Sequence, residues 1–209
     1  MKKVAGLLLA AGGSRRMGDP KQLLPVEGDF LLDRMLREAL LSDLHSVFLV
    51  LGDRARLIQK SLVTDLNHPK ITVVENPCWR EGLSSSIRAG LERAEKTADH
   101  VMILLADMPY ITAGVINKLL QGYSASSRSL GAVRIGERWS HPVIIGRRFF
   151  PELHRLTGDR GARELFRKSA GRICLVEVGA DYRDLDIDTP EDYTDYLQCL
   201  KGGGPPPER

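Results

Sequence analysis

Val4-Ala5-Gly6-Leu7-Leu8-Leu9-Ala10-Ala11-Gly12-Gly13-Ser14-Arg15-Arg16-Met17-Gly18-Asp19-Pro20-Lys21 is the stretch that decides the fold. Val4 to Leu9 is a short apolar run of the kind a buried parallel strand requires, and a glycine loop with two arginines and a lysine follows it. Small residues let backbone N–H groups close on phosphate oxygens, so the loop reads as a polyphosphate cradle. Two commoner glycine loops are excluded. Gly13 and Gly18 have P-loop spacing, but Asp19 and Pro20 stand where Lys and Ser or Thr belong, and the G-x-G-x-x-G fingerprint is missing. Both motifs also open a helix at the glycines, which Pro20 and Pro25 oppose. The phosphates are expected on an extended loop, neutralised by Arg15, Arg16 and Lys21. A secretory signal peptide, with Lys2 and Lys3 as its charged start and Val4 to Ala11 as its apolar core, fits less well, because the apolar stretch is short and an ordered basic loop follows.

Downstream of the loop, Leu31, Leu32, Met35, Leu36, Ala39 and Leu40 recur at helical spacing before the β-type run Val47 to Leu51. The alternation continues with a helix over Ala55 to Leu62, a strand at Ile71 to Val74, a helix from Ser84 to Lys96 and a strand at Val101 to Leu105. Near-continuous apolar strands separated by helix-length segments imply a mostly parallel sheet covered on both faces, an α/β three-layer, Rossmann-like architecture. Beyond Asp107 the pattern predicts a helix at Thr112 to Gln121, a serine-rich loop at Ser124 to Ser129, and an antiparallel pair, Gly131 to Ile135 and Pro142 to Ile145, joined by Gly136 to Ser140. Helices at Arg147 to His154 and Ala162 to Lys168, a strand at Ile173 to Val178 and a helix at Thr189 to Leu200 complete a single domain, residues 1–200. Residues 201–209, with Gly-Gly-Gly-Pro-Pro-Pro, cannot build a core and are expected to be a disordered tail.

Composition narrows the function. A chain of 209 residues with 43% hydrophobic content and net charge +3 is an ordinary soluble globular protein, and no apolar run is long enough to span a bilayer. Three scattered cysteines fit a reducing compartment, so a cytoplasmic location is expected. The pI of 8.8 does not imply nucleic acid, because basic residues are interleaved with acids and no basic-aromatic pattern occurs. Small anionic ligands explain the mild excess.

Four further segments carry chemistry. Strand Val101 to Leu105 runs into Asp107, and in an open parallel sheet the crevice at the carboxyl ends of the strands would bring Asp107 to face the opening loop. An acid meeting a polyphosphate suggests Mg²⁺, or Mn²⁺ in its place, held by carboxylates and substrate phosphates. Asp184-Leu185-Asp186-Ile187-Asp188 alternates acids on one face of an extended segment before Thr189-Pro190-Glu191, a helix start with Thr as cap. A metal role for Asp188 rests on its combination with Asp107. Asn76-Pro77-Cys78-Trp79-Arg80-Glu81-Gly82-Leu83-Ser84-Ser85-Ser86 follows another parallel strand and enters a helix rich in hydroxyls and free backbone donors, so Asn76, Gly82, Ser84 and Ser86 are candidate nucleotide contacts. His141, which opens a strand, and the turn holding Asp159, Arg160 and Arg163 are candidates for a second, anionic substrate. The histidines show no zinc-ligand spacing, and nothing supports Cys78 as a nucleophile.

Leu8 to Gly18 with Lys21, then Leu105-Ala106-Asp107-Met108-Pro109, then Asp186-Ile187-Asp188-Thr189-Pro190-Glu191-Asp192, resemble the MobA-like nucleotidyltransferases over nearly the whole chain. Gly82 to Leu91, His141-Pro142 and Gly158 to Arg163 are most similar to the molybdenum cofactor cytidylyltransferases. The resemblance implies that Leu9, Ala10, Ala11, Gly12, Gly13, Ser14, Arg15, Arg16, Gly18 and Lys21 bind a nucleoside triphosphate. It also implies that Asp107 and Asp188 hold Mg²⁺, and that Arg16, Lys21 and Asp107 are catalytic. The implied reaction transfers CMP from CTP to molybdenum-bearing molybdopterin and releases pyrophosphate; a recipient molybdoenzyme is an implied partner. Guanylyl-transferring relatives carry Leu-Ala-Gly-Gly at the loop start, whereas Leu9-Ala10-Ala11-Gly12 stands here, which favours cytosine. Alternatives are a guanylyltransferase, a sugar-phosphate nucleotidyltransferase of the same fold, and a non-catalytic molybdopterin-binding chaperone. Against the last, a pure binder has no need of a two-carboxylate metal site.

Overall fold

The computed structural model describes residues 2–14, 17–169 and 171–202. Strand β1 (Val4–Ala10) is followed by a two-residue hairpin, β2 (Pro25–Val26) and β3 (Asp29–Phe30), that no sequence pattern announced. Then come α1 (Leu31–Leu41), β4 (Ser46–Leu51), α2 (Ala55–Ser61), β5 (Ile71–Glu75), α3 (Leu83–Ala94) and β6 (His100–Leu105). The second half comprises α4 (Ala113–Ala125), β7 (Leu130–Ile135), β8 (Arg138–Gly146), α5 (Phe150–His154), α6 (Arg163–Lys168), β9 (Ile173–Val176) and α7 (Pro190–Gly202).

The main sheet has the order β5-β4-β1-β6-β8-β7-β9. Strands β5, β4, β1 and β6 are parallel, β8 runs against both β6 and β7, and β9 is parallel to β7. The expected α/β three-layer fold with a mostly parallel mixed sheet is therefore what the chain adopts. Alternation along β1 feeds both layers: Val4, Leu8 and Ala10 enter the core under α1 and α4, while Ala5, Leu7 and Leu9 enter the core under α3. From β1 the chain winds outward through β4 to β5, then returns to place β6 on the other side of β1. That reversal is a topological switch point, and loops leaving β1 and β6 diverge there to leave a crevice.

Several boundaries depart from the pattern in the sequence: β9 ends at Val176 instead of Val178, α5 begins at Phe150 after a 3-10 turn over Arg147–Phe149, and α3 ends at Ala94 instead of Lys96. Helix α4 continues to Ala125 and takes in Ser124, because Tyr123 is fully buried and Ser126 closes the last turn with its N–H and hydroxyl on the Tyr123 carbonyl. The link between β7 and β8 is only Gly136-Glu137, so β8 begins at Arg138 and His141 lies inside that strand instead of opening it. Strand periodicity breaks there because the pairing steps from Ala132–Val143 to Val133–Ser140, which leaves His141 and the cis-bonded Pro142 outside the β7 ladder. Finally, α7 extends to Gly202, two residues into the expected tail; residues 203–209 lie outside the described residues. Among the described residues no helix is long and apolar enough to cross a membrane.

Candidate active site

At the switch point the β1 strand ends in Ala10 and the chain opens into Ala11, Gly12 and Gly13, all of which line a cavity of 350 Å³. The loop is shaped by a side chain that sequence reasoning passed over. Gln22, only 2% exposed, donates from Nε2 to the carbonyls of Ala10 at 2.7 Å and Gly12 at 3.1 Å. Its Oε1 accepts from the Ser14 hydroxyl at 3.5 Å, and that hydroxyl in turn accepts from the Lys21 N–H at 2.9 Å. Ser14 takes a positive φ of 47°, which turns the chain back so that Lys21 and Gln22 reach the strand end. No periodicity reveals a buried glutamine in a turn. Its only signal was its place beside Lys21, behind Pro20.

The loop's other walls come from three elements. Gly13 is packed by Trp79, whose ring lies 2.9 Å from where a Gly13 β-carbon would sit, and Arg80 stacks its guanidinium 4.5 Å over that ring. Gly82, at φ 97°, starts α3 where a β-carbon would fall 2.7 Å from the Gly158 carbonyl carbon, so only glycine fits. Ser86 reaches the cavity from the first turn of α3. Asn76 and Ser84 do not line it. Asn76 is buried and spends its amide on the Ser85 and Ser86 hydroxyls, at 2.9 and 3.1 Å, and its oxygen on the Cys78 N–H; the Ser84 hydroxyl is buried without a partner among the described residues. Asn76 thereby fixes the serine turn from behind the cavity wall. Ser14 and Gly18 likewise do not line the cavity. Arg15 and Arg16 lie outside the described residues.

Across the crevice, Ala106 N–H bonds the Leu9 carbonyl at 3.1 Å and locks the end of β6 to β1, which delivers Asp107 opposite the loop. The Asp107 carbonyl accepts from Ile187 N–H at 2.8 Å, and Ile187 is buried, so this backbone hydrogen bond holds Asp188 beside Asp107. Asp188 is steadied further by the cap of α7: the Thr189 hydroxyl accepts from Asp192 N–H, and the Asp192 carboxylate accepts from the Asp188 and Thr189 N–H groups. Between the two carboxylates sits the Lys21 ammonium, bonded to Asp107 and, at 3.0 Å, to Asp188. Burial alone would lower the Lys21 pKa, but Asp107 and Asp188 outweigh it and hold it above its ordinary value of 10.5. Asp186 is pushed up, by partial burial first and then by its two neighbouring carboxylates. Asp107 and Asp188 thus converge on one cation, the place a divalent ion with two carboxylate ligands would take. Among the described residues there is no group of three or more side chains able to hold a metal.

A second cavity, of 740 Å³, adjoins the first and shares Leu83, Leu105 and Asp159 with it. His141, Arg163, Arg138 and the carboxylates Asp184, Asp186 and Asp188 line it, so the structure brings His141, Asp159 and Arg163 together on one side of the Asp107–Asp188 pair. Asp159 stands at the partition, its Oδ1 accepting from Leu83 N–H at 3.1 Å, which ties this turn to the start of α3. The Arg160 side chain lies outside the described residues. His141 has its Nδ1 buried without a partner among the described residues, and burial lowers its pKa to about 4, so it is neutral at pH 7.

A parallel sheet that opens its switch point onto a glycine loop and a lysine-bridged pair of carboxylates belongs to the nucleotidyl-transferring class of α/β proteins. Residues 6–173 match the MobA-like NTP transferase domain, and the chain is a member of that family. It is 31% identical over 196 residues to nicotine blue oxidoreductase of Paenarthrobacter nicotinovorans, covering 90% of this chain and 93% of the relative. It is 27% identical over 195 residues to the molybdenum cofactor cytidylyltransferase of Escherichia coli K12, covering 92% and 95%. Among solved structures it is similar to Rv0371c of Mycobacterium tuberculosis H37Rv in complex with manganese, at TM-score 0.76 and 28% identity, covering 94% of this chain and 98% of that one.

Proposed function

We propose that the protein is a divalent-metal-dependent cytidylyltransferase that joins CMP from CTP to the terminal phosphate of molybdenum-bearing molybdopterin. The observation that carries this reading is the convergence of Asp107 and Asp188 on the Lys21 cation at the mouth of the glycine loop. A carboxylate pair already sharing one cation is a donor set suited to Mg²⁺ or Mn²⁺, and the manganese complex of the mycobacterial relative supports a divalent ion. Held by Asp107 and Asp188, that ion would neutralise the triphosphate and the departing pyrophosphate. The backbone of Ala10 to Gly13, fixed by Gln22, cradles the phosphates, and Lys21, with Arg16, supplies positive charge to the leaving side. In the step itself an acceptor phosphate oxygen bonds to the α-phosphorus, the bond from that phosphorus to the bridging oxygen breaks, and its electron pair leaves with pyrophosphate. The attacking phosphate is already ionised at neutral pH, so alignment and charge stabilisation suffice and no general base is needed.

The larger cavity, with Arg163 and the neutral His141, is the acceptor's place, and the name of the Escherichia coli relative supports a molybdopterin acceptor. The Ala10-Ala11-Gly12 start favours cytosine. The test is to incubate the purified protein with Mg²⁺, molybdenum-loaded cofactor and each nucleoside triphosphate in turn, scoring pyrophosphate and dinucleotide product. Product from CTP is expected. Product from GTP alone overturns the base assignment, and no pyrophosphate with any triphosphate overturns nucleotidyl transfer.

A further inference from the structure

Among the described residues, the charged side chains lining the nucleotide cavity are Lys21, Arg80, Asp107 and Asp159. All but one are committed within the protein: Lys21 bridges Asp107 and Asp188, and Asp159 accepts from the Leu83 N–H. Arg80 is the exception. Its guanidinium stacks on the Trp79 ring and has neither a hydrogen bond nor an ion pair among the described residues. Glu81, the acid next to it in sequence, does not neutralise it, because the Glu81 carboxylate accepts from Arg88 Nη2 at 3.0 Å. The N–H donors of Arg80 are therefore all unspent on the wall of this cavity.

The backbone around Arg80 is pinned. It sits in a 3-10 turn, Trp79–Glu81, in which Glu81 N–H bonds the Cys78 carbonyl at 2.9 Å and Gly82 N–H bonds the Trp79 carbonyl at 3.2 Å. Asn76 holds the entry to that turn through the Cys78 N–H at 3.0 Å. The Trp79 ring is half-buried and its edge abuts Gly13, so the ring that carries the guanidinium is seated on the glycine loop itself. Stacking on an indole face restricts a guanidinium without consuming its donors, which leaves the in-plane N–H groups free for a bidentate grip on an oxyanion. Charge argues the same way. A triphosphate bound with one divalent ion stays negative, and Lys21 has Asp107 and Asp188 to offset as well.

We propose that Arg80 is a phosphate-binding residue of the nucleotide site and that Trp79 is the residue that positions it. The inference rests on nucleotidyl transfer as read above and adds to it a cation held by stacking. Binding of CTP and, separately, of GTP to the full chain is measured by calorimetry with Mg²⁺ and no acceptor, at low and at high salt. Arg80→Gln should weaken triphosphate binding about tenfold or more and make the remaining affinity less sensitive to salt than that of the wild type. The melting temperature of the unliganded protein should not change, whereas loss of a merely structural residue would lower it and leave the salt dependence alone. Trp79→Ala should cost about threefold in the wild-type background and nothing further in Arg80→Gln, while Trp79→Phe, which keeps a ring to stack on, should restore most of the affinity. An equal cost of Trp79→Ala in both backgrounds overturns the positioning role. Affinity in Arg80→Gln equal to wild type, or a loss with undiminished salt sensitivity, overturns the phosphate contact. Wild-type protein that binds neither triphosphate overturns nucleotidyl transfer itself, so the two failures read differently.

Discussion

The two cavities that meet at Asp159 are made of different material. The smaller one is floored by the backbone of the glycine loop after β1, which the buried Gln22 fixes, and its larger side chains come from a few short runs: Lys21 of the same loop, Asp107 at the end of β6, and Trp79 and Arg80 before α3. The larger is walled by side chains from distant elements, with Arg138 and His141 from β8, Arg163 from α6 and the acids of the 184–188 segment. A backbone cradle suits an invariant group such as a triphosphate, whereas a side-chain wall can be retuned for a different acceptor without touching the cradle. Arg138 illustrates the second kind: its guanidinium grips both oxygens of Asp184, a contact made by residues far apart in sequence. Damage to the first cavity should therefore cost turnover with every acceptor, and damage to the second should cost one acceptor only.

Asp107→Ala puts that contrast to its hardest test. Loss of one of the two carboxylates proposed to hold the metal should cut pyrophosphate release by about a thousandfold or more with any acceptor, while circular dichroism stays native. Turnover near wild type would remove the metal assignment. Lys21→Ala should cost about a hundredfold, and it also leaves Asp107 and Asp188 facing each other without their ammonium, so Mg²⁺ should raise its melting temperature more than that of the wild type. Gln22→Ala frees the Ala10 and Gly12 carbonyls, and should raise the KM for nucleotide about tenfold while costing roughly 1–2 kcal/mol of stability. A change in acceptor KM with nucleotide KM unmoved would show that Gln22 does not shape the cradle.

The same contrast explains what could be read without the fold. The helix and strand alternation through β6 and the pairing of the Ala10 loop with Asp107 were legible because each depends on contiguous residues and on one rule about strand ends. Asp188 was legible only jointly with Asp107. Gln22 was not, since its partners are carbonyls, which carry no sequence identity. The bonding of Asn76 to the serine hydroxyls was not legible, because hydroxyls and amides beside a helix start serve equally for a ligand or for one another, and only the fold shows that they meet. His141 was misplaced at a strand start because its proline suggests an edge, while a step in the β7 pairing admits it to the interior of β8.

Smaller effects are expected on the acceptor side. Arg163→Ala should raise the acceptor KM by about three- to tenfold and leave nucleotide KM alone, as fits an exposed guanidinium whose charge is screened. The mildest test uses pH and sets the two cavities against each other. Burial lowers the His141 pKa to about 4, so between its ordinary 6.5 and that value the unfolded chain takes up a proton the folded one refuses. Stability should fall as pH drops through this window, with a slope no steeper than about 1.4 kcal/mol per pH unit from this group. Lys21 acts at the other end: its raised value contributes stability that is complete below 10.5 and is lost as pH climbs through the folded pKa. Melting temperatures of wild type, His141→Gln and Lys21→Met across pH 4 to 11 separate the two. His141→Gln should flatten only the acid limb and Lys21→Met only the alkaline one. An acid limb unchanged in His141→Gln would mean that the imidazole meets water freely and that the larger cavity is a wetter, more open wall than its lining implies.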